Sequence, residues 1–396
     1  VSAREMSKEE IIEISEQLAI TNFEVRNWNF WSRTWVDGIR WAGVVDLATV
    51  SDEPKLQEAI VSMGSKNRPK PWVLWQEHEG EPHFADELCI GETFVAEFER
   101  TGDPAVIADT QARIDAAATA ILSEEMAETF ANREQREFKT SYLWYWCDSL
   151  IMAPPAFARL SAATGNPKYL EAMHLEWRRT SESLYDEEEH LYYRDANFVP
   201  GEETVEKSFK NRPTQTANGE KVFWSRGNGW VMGAFARTIP YIPVDDPERE
   251  WYIDQFKEMS AKIASLQRPD GTWSPSLLDY EDFPYSEMSG TSLYCFALAW
   301  GINEGILPKD EYLPVVEKAW AAMLQSFNDK GLIGYVQGVG DQPGKVFSQM
   351  NNSGYADGAF MMAAAQLVEL APINVPEIPD LVAEGEWPGW HKNSKK

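Results

Sequence analysis

Basic residues, histidine and cysteine are all scarce in this chain, and each shortage removes a class of function. Only 36 Lys and Arg stand against 63 Asp and Glu, a formal charge of -27 over 396 residues. A field of that sign repels phosphate backbones and anionic lipid surfaces, so nucleic acid is not expected as a partner. Five His leave little from which to build a metal centre. The three cysteines, Cys89, Cys147 and Cys295, are odd in number, far apart and set among apolar neighbours. That pattern reads as buried small hydrophobes, not as a disulfide framework. No apolar run approaches the roughly 18 residues that span a bilayer. The longest, over 359–370, is interrupted by Gln366 and Glu369, so membrane insertion is not expected. The chain opens on Val1 and lacks a basic stretch followed by an apolar one. A removed leader or a trimmed start is expected from this, with a periplasmic or secreted location favoured over a cytoplasmic one.

Large aromatic rings, by contrast, are abundant: 17 Trp, 14 Tyr and 18 Phe. Trp and Tyr combine an apolar face with a polar handle, which suits stacking on sugar rings as well as packing. Helical signals run from end to end. Ser7 and Glu10 form a capping box ahead of Ile11, Ile14 and Leu18, and Leu88, Gly91, Val95 and Phe98 share one helical stripe. Punctuation then repeats. Thr101-Gly102-Asp103-Pro104 and Thr164-Gly165-Asn166-Pro167 each offer a Gly stop, a polar cap and a Pro start, and Asp245-Asp246-Pro247 is a third start.

These joints predict six helical hairpins of about 66 residues each, units that must stack to bury their faces. The expected fold is all-α, an (α/α)6 barrel in one domain over residues 1–372, with a tail over 373–396 that wraps the surface or frays. An open solenoid of the same units is the competing geometry. Residues 186–222 form the longest non-helical stretch and are expected to make a functional loop over a barrel mouth.

Chemistry concentrates in a few segments. In the run from Tyr142 to Met152 a single carboxylate, Asp148, lies among Tyr145, Trp144 and Trp146. Loss of solvation there raises a carboxyl pKa toward the range of a general acid, although a cap on the helix that starts near Pro154, or a pairing with a Lys, is the competing reading. Phe223-Trp224-Ser225-Arg226-Gly227-Asn228-Gly229-Trp230 offers a guanidinium fork between two indoles, a grouping suited to an anionic sugar or to a helix-entry turn. Asp86 supplies a second acid at a helix start, where carboxylates also serve as caps. His190 lies in a polar loop. His78 and His83 beside Glu77, Glu79 and Asp86 have a spacing that argues against a metal site.

Together these segments resemble glycoside hydrolase family 105, the unsaturated rhamnogalacturonyl hydrolases and their unsaturated glucuronyl hydrolase-like relatives. The resemblance runs through Trp35-Val36-Asp37-Gly38 to Gly43, Phe84-Ala85-Asp86 to Gly91, Trp146-Cys147-Asp148 to Met152, and His190. It continues in Trp224 to Trp230, Ser286-Glu287-Met288-Ser289-Gly290-Thr291 and Ala356-Asp357-Gly358-Ala359-Phe360. It implies an enzyme that hydrates the vinyl ether of a 4,5-unsaturated uronic acid at the non-reducing end of a lyase-made oligosaccharide. By the same resemblance Asp148 protonates C4 and then takes a proton from the water adding at C5, with Asp86 as the second acid. Arg226 would meet the uronate carboxylate, His190 a ring hydroxyl, and Trp224 and Trp230 the ring faces. Met152 would lie one turn beyond Asp148, and Trp41 holds a position where the family more often carries Tyr. No metal or organic cofactor is implied.

The negative charge sits awkwardly with an anionic substrate unless salt shortens its reach. This favours a salty habitat and a marine polysaccharide such as ulvan over pectin. Lys207, Lys210 and Arg212 could meet a sulfate or a second uronate, or form a solvated basic cluster. Two rivals remain at this stage: a non-catalytic carbohydrate-binding helical-repeat protein, and another α/α-barrel sugar enzyme such as an epimerase or a saturated-glycoside hydrolase.

Overall fold

The computed structural model of the chain describes residues 3–25, 34–66, 71–74, 84–132, 142–201, 212–345 and 348–383. In chain order the helices are α1 (Lys8–Val25), α2 (Trp35–Leu47), α3 (Pro54–Ser65), α4 (Ala85–Leu88), α5 (Gly91–Thr101), α6 (Ala108–Ile121), α7 (Glu124–Ala131) and α8 (Ser149–Met152). They continue as α9 (Pro154–Thr164), α10 (Lys168–Leu184), α11 (Ser225–Thr238), α12 (Arg249–Ser265), α13 (Met288–Asn303), α14 (Lys309–Gln325) and α15 (Gly354–Leu370).

Six staves form an inner ring. α2 packs on α5, α5 on α9, α9 on α11, α11 on α13, α13 on α15, and α15 returns to α2. The ring is closed, so the open solenoid is set aside. The outer helices α3, α6, α10, α12 and α14 each pack against the ring or each other, and α1 lies on α15. Burial separates the two layers as patterning demands. Every residue of α13 from Met288 to Ile302 is buried, whereas α12 buries six of its residues along one stripe.

Close approach in the ring needs glycine. A Cβ on Gly43 would lie 2.2 Å from the Gly358 carbonyl oxygen, so α2 and α15 meet backbone to backbone. Likewise a Cβ on Gly290 would lie 2.5 Å from Ser225 Oγ, where α13 meets α11.

The sequence-read boundaries are local and well placed. Ser7 N–H donates to Glu10 at 2.8 Å and Glu10 N–H to Ser7 Oγ at 3.2 Å, closing the capping box. Gly102 and Gly165 end their helices with φ of +69° and +71°. Asp103 and Asp246 cap the starts that follow them. The predicted stripe over 88–98 is corrected in one respect: the helix breaks at Cys89–Ile90, dividing α4 from α5. Two short strands, β1 (Arg4–Met6) and β4 (Ile373–Val375), pair antiparallel, so the tail's first residues are tied to the start of the chain. β2 (Tyr185–Asp186) and β3 (Leu191–Tyr192) form a second hairpin inside the long connection. Among the described residues no helix is long and apolar enough to cross a membrane.

Candidate active site

The quoted motif segments converge because they head the inner staves. Trp35, first residue of α2, stacks on Tyr355 at the start of α15 (5.4 Å, 16°) and meets Trp230 of α11 edge-on at 6.1 Å. Arg226, at the start of α11, lies over Trp224 at 4.5 Å and Tyr355 at 5.0 Å. Phe84, just before α4, stacks on Trp146 at 5.1 Å, and α4 packs on α8. One end of the barrel therefore gathers aromatic rings, charged side chains and the positive ends of parallel helices.

Asp148 stands at this mouth. The segment leading to it is pinned from both sides: Cys147 N–H donates to the Arg194 carbonyl at 2.8 Å, and Trp146 pairs with Asp195. Behind it, Glu176 accepts from Leu143 N–H and from Trp144 N–H. Asp148 immediately precedes α8 yet makes no capping bond there, and α9, the helix that starts at Pro154, has Ala153 at its N-cap position, so Asp148 does not cap that helix. Its carboxyl accepts from Cys147 Sγ at 3.3 Å, and its other oxygen lies 3.9 Å from Arg194 Nε. Only 8% of Asp148 is exposed. Burial pushes its carboxyl above the ordinary value, against the pull of Arg194 and the thiol bond. Cys147 itself, buried beside Asp148, is held well above the usual thiol range and is thus an S–H donor.

Asp86 is half-buried on α4, which packs on α8, the short helix that Asp148 immediately precedes. Met152 ends α8 and is buried. The remaining sequence-read residues are placed otherwise than expected. Arg226 is 1% exposed: Nη1 donates to the Gln337 carbonyl (2.6 Å) and Tyr355 Oη (3.1 Å), Nη2 to the Gly338 carbonyl (2.9 Å). Its Nε is buried and has no hydrogen-bond partner among the described residues. Trp224 is also a wall residue, its Nε1 donating to Gln337 at 3.0 Å, and Trp230 is buried among Trp35 and Tyr355. Trp41 is buried against α1, stacked on Phe23 at 6.0 Å. His190 opens into a groove between α10 and α12 that Asp148 does not line, 3.1 Å from Tyr185 Oη and 3.5 Å from Glu258. In each case a motif reports residue type, while the helix face that the residue occupies depends on distant partners.

Arg212 pairs with Asp341. His78, His83, Glu77, Glu79, Lys207 and Lys210 lie outside the described residues. Among the described residues no group of three or more His, Cys, Asp and Glu is placed to hold a metal ion.

Residue-level reading missed Arg194. Its sequence neighbours, Tyr193 and Asp195, make it look like half of a loop ion pair; only the pairing of 194–195 with 146–147 carries it to Asp148. Trp35, half-buried where Trp224 and Trp230 are not, is the ring of that layer nearest solvent, and it was quoted only as part of a motif.

Comparison with known proteins agrees with this architecture. Residues 3–371 match the family model described as Glycosyl Hydrolase Family 88. The chain is 34% identical over 338 residues to an unsaturated 3S-rhamnoglycuronyl hydrolase of Formosa agariphila, covering 85% of this chain and 84% of that one. It is 30% identical over 345 residues to an enzyme of the same name from an Alteromonas species, covering 85% and 78%. A solved structure described as a glycosyl hydrolase family 88 protein from Bacteroides vulgatus superposes with a TM-score of 0.78 at 29% identity, covering 92% of this chain and 99% of that one.

Proposed function

The chain belongs to glycosyl hydrolase family 88, and from that premise we propose that it removes the 4,5-unsaturated uronic acid from the non-reducing end of lyase-made oligosaccharides. Asp148 is the acid and then the base of the reaction. The relatives' names direct the proposal to a rhamnoglycuronyl substrate, of ulvan or rhamnogalacturonan type. The catalytic domain in this reading is residues 1–372, with 373–396 as its tail.

The observation that supports it is a buried, uncapped carboxyl at the barrel mouth whose burial favours the protonated form. In the proposed sequence the Asp148 proton goes to C4, and the C4–C5 π electrons form the new C–H bond. Positive charge is left on C5 and the ring oxygen. Asp86, on the adjoining helix, stabilises that charge and helps Asp148 keep its proton beforehand by like-charge coupling. The Asp148 carboxylate then takes a proton from water as the water oxygen bonds to C5. The hemiketal opens and the rest of the oligosaccharide leaves. Because this is hydration, the carboxylate separations that distinguish retaining from inverting glycosidases do not apply.

Incubation with lyase digests of several polyuronides tests the reading: one digest should lose its conjugated ultraviolet absorbance. Asp148→Asn should lower that rate by about 10²- to 10⁴-fold, the usual share of a general acid–base group, while sugar binding persists. Undiminished turnover in the variant would remove Asp148 from the mechanism. Binding without any absorbance loss in the wild type would leave a sugar-binding protein.

A further inference from the structure

We propose that Arg194 is the residue that recognises the acidic group of the terminal sugar, its Nε–Nη2 edge taking the uronate carboxylate beside Asp148. The inference rests on the proposed function and names a specificity residue for it.

The chemistry of the substrate sets the geometry. The carboxylate is borne on C5, next to C4, so whatever binds it must be a near neighbour of the group that delivers a proton to C4. The guanidinium of Arg194 meets that demand, with Nε 3.9 Å from Asp148 Oδ2, too long for a hydrogen bond. Its surroundings hold one edge and leave the other. Nη1 donates to Asp195 Oδ2 at 2.7 Å, and Asp195, 3% exposed, is itself fixed by Asn197 N–H and Nδ2 on its other oxygen. Nε is buried and makes no hydrogen bond, and no bond from Nη2 is found among the described residues. The side chain as a whole retains 17% exposure, while Nε itself is buried beside Asp148. An Nε–Nη2 edge is a planar two-donor fork that matches a carboxylate.

Arg226, another cation at the mouth, also has a buried Nε with no partner, but both of its terminal nitrogens already donate to carbonyls of the 337–338 segment and the residue is 1% exposed. Pairing with the uronate also neutralises Arg194, which would otherwise oppose positive charge growing on the neighbouring ring.

The test compares an unsaturated uronyl disaccharide with its methyl ester, which keeps the double bond and loses the negative charge. Wild type, Arg194→Gln and Arg194→Lys are assayed on both by absorbance loss. Arg194→Gln should lower kcat/KM on the free acid by about 10- to 100-fold, as for loss of a charge-assisted hydrogen-bond pair, and on the ester by less than about threefold. Arg194→Lys should retain part of the preference for the acid. Each ratio is taken within one protein preparation, so a misfolded fraction cancels. Equal losses on acid and ester overturn the inference while leaving the proposed function standing. A loss that tracks a sulfate on the leaving sugar also overturns it. A wild type inert toward both substrates overturns the proposed function and this inference with it.

Discussion

The two ends of the barrel bury the same kinds of charge and satisfy them differently. At the end built from helix C-termini, Arg237 of α11 donates Nε to both oxygens of Glu92 (3.1 and 2.9 Å). It donates Nη1 to Asp46 (2.6 Å) and Nη2 to Asp46 and Glu92 (3.3 and 2.7 Å). Every nitrogen is occupied, and α2, α5 and α11 are bound together. Arg159 of α9 approaches the same Glu92 at 3.8 Å. At the mouth, among the described residues, Arg194 has one carboxylate hydrogen bond and a buried Nε with none, and Asp148 accepts only from a thiol. A saturated buried network fixes a fold, whereas a donor left over beside a candidate catalytic group is available to a ligand or to water.

Breaking the saturated end should therefore cost stability and spare chemistry. Arg237→Met leaves the buried Glu92 and the half-buried Asp46 without their shared partner, an expected loss of about 3 kcal/mol. Denaturant unfolding measures it, and kcat/KM per folded molecule should be unchanged. Burial already holds the Asp46 carboxyl above its ordinary value, with Arg237 opposing, so removal of Arg237 drives it further toward protonation. A matching loss of turnover in the folded fraction would mean the two ends are coupled.

A finer probe of the open end is Cys147→Ala. The thiol hydrogen bond favours ionised Asp148, so its loss raises the Asp148 value and moves the alkaline limb of kcat/KM upward. The rate effect should be small, about twofold, because a neutral hydrogen bond contributes roughly 0.5–1.5 kcal/mol and a thiol donates weakly. A pH–rate profile checks both. A limb that moves downward would show that the thiol does not support the carboxylate.

What was legible in the sequence follows the range of the interactions involved. Helix caps at Ser7, Asp103 and Asp246 and the glycine stops at Gly102 and Gly165 are settled within a few residues, so pattern reading finds them. The burial of Asp148 and its raised carboxyl were legible for the same reason, since Trp144, Tyr145 and Trp146 stand beside it in the chain. The direction of Arg226 was not, because the carbonyls that hold it lie 111 and 112 residues away. Arg194 reaches Asp148 only through the pairing of 194–195 with 146–147, a contact no local pattern encodes. The resemblance to family 105 carried the barrel and its chemistry as expectations; closure of the ring came from α15 returning to α2.

In the proposed mechanism Asp148 is held un-ionised by its surroundings until it delivers a proton. Carboxyl-carbon NMR of protein labelled at aspartate, titrated in wild type and Asp148→Asn, measures this directly. One resonance, absent from the variant, should titrate clearly above the ordinary aspartate value of about 3.9. The wild-type kcat/KM should fall as pH rises through that same point, because the donor loses its proton there. An Asp148 resonance that titrates at or below the ordinary value would contradict the account.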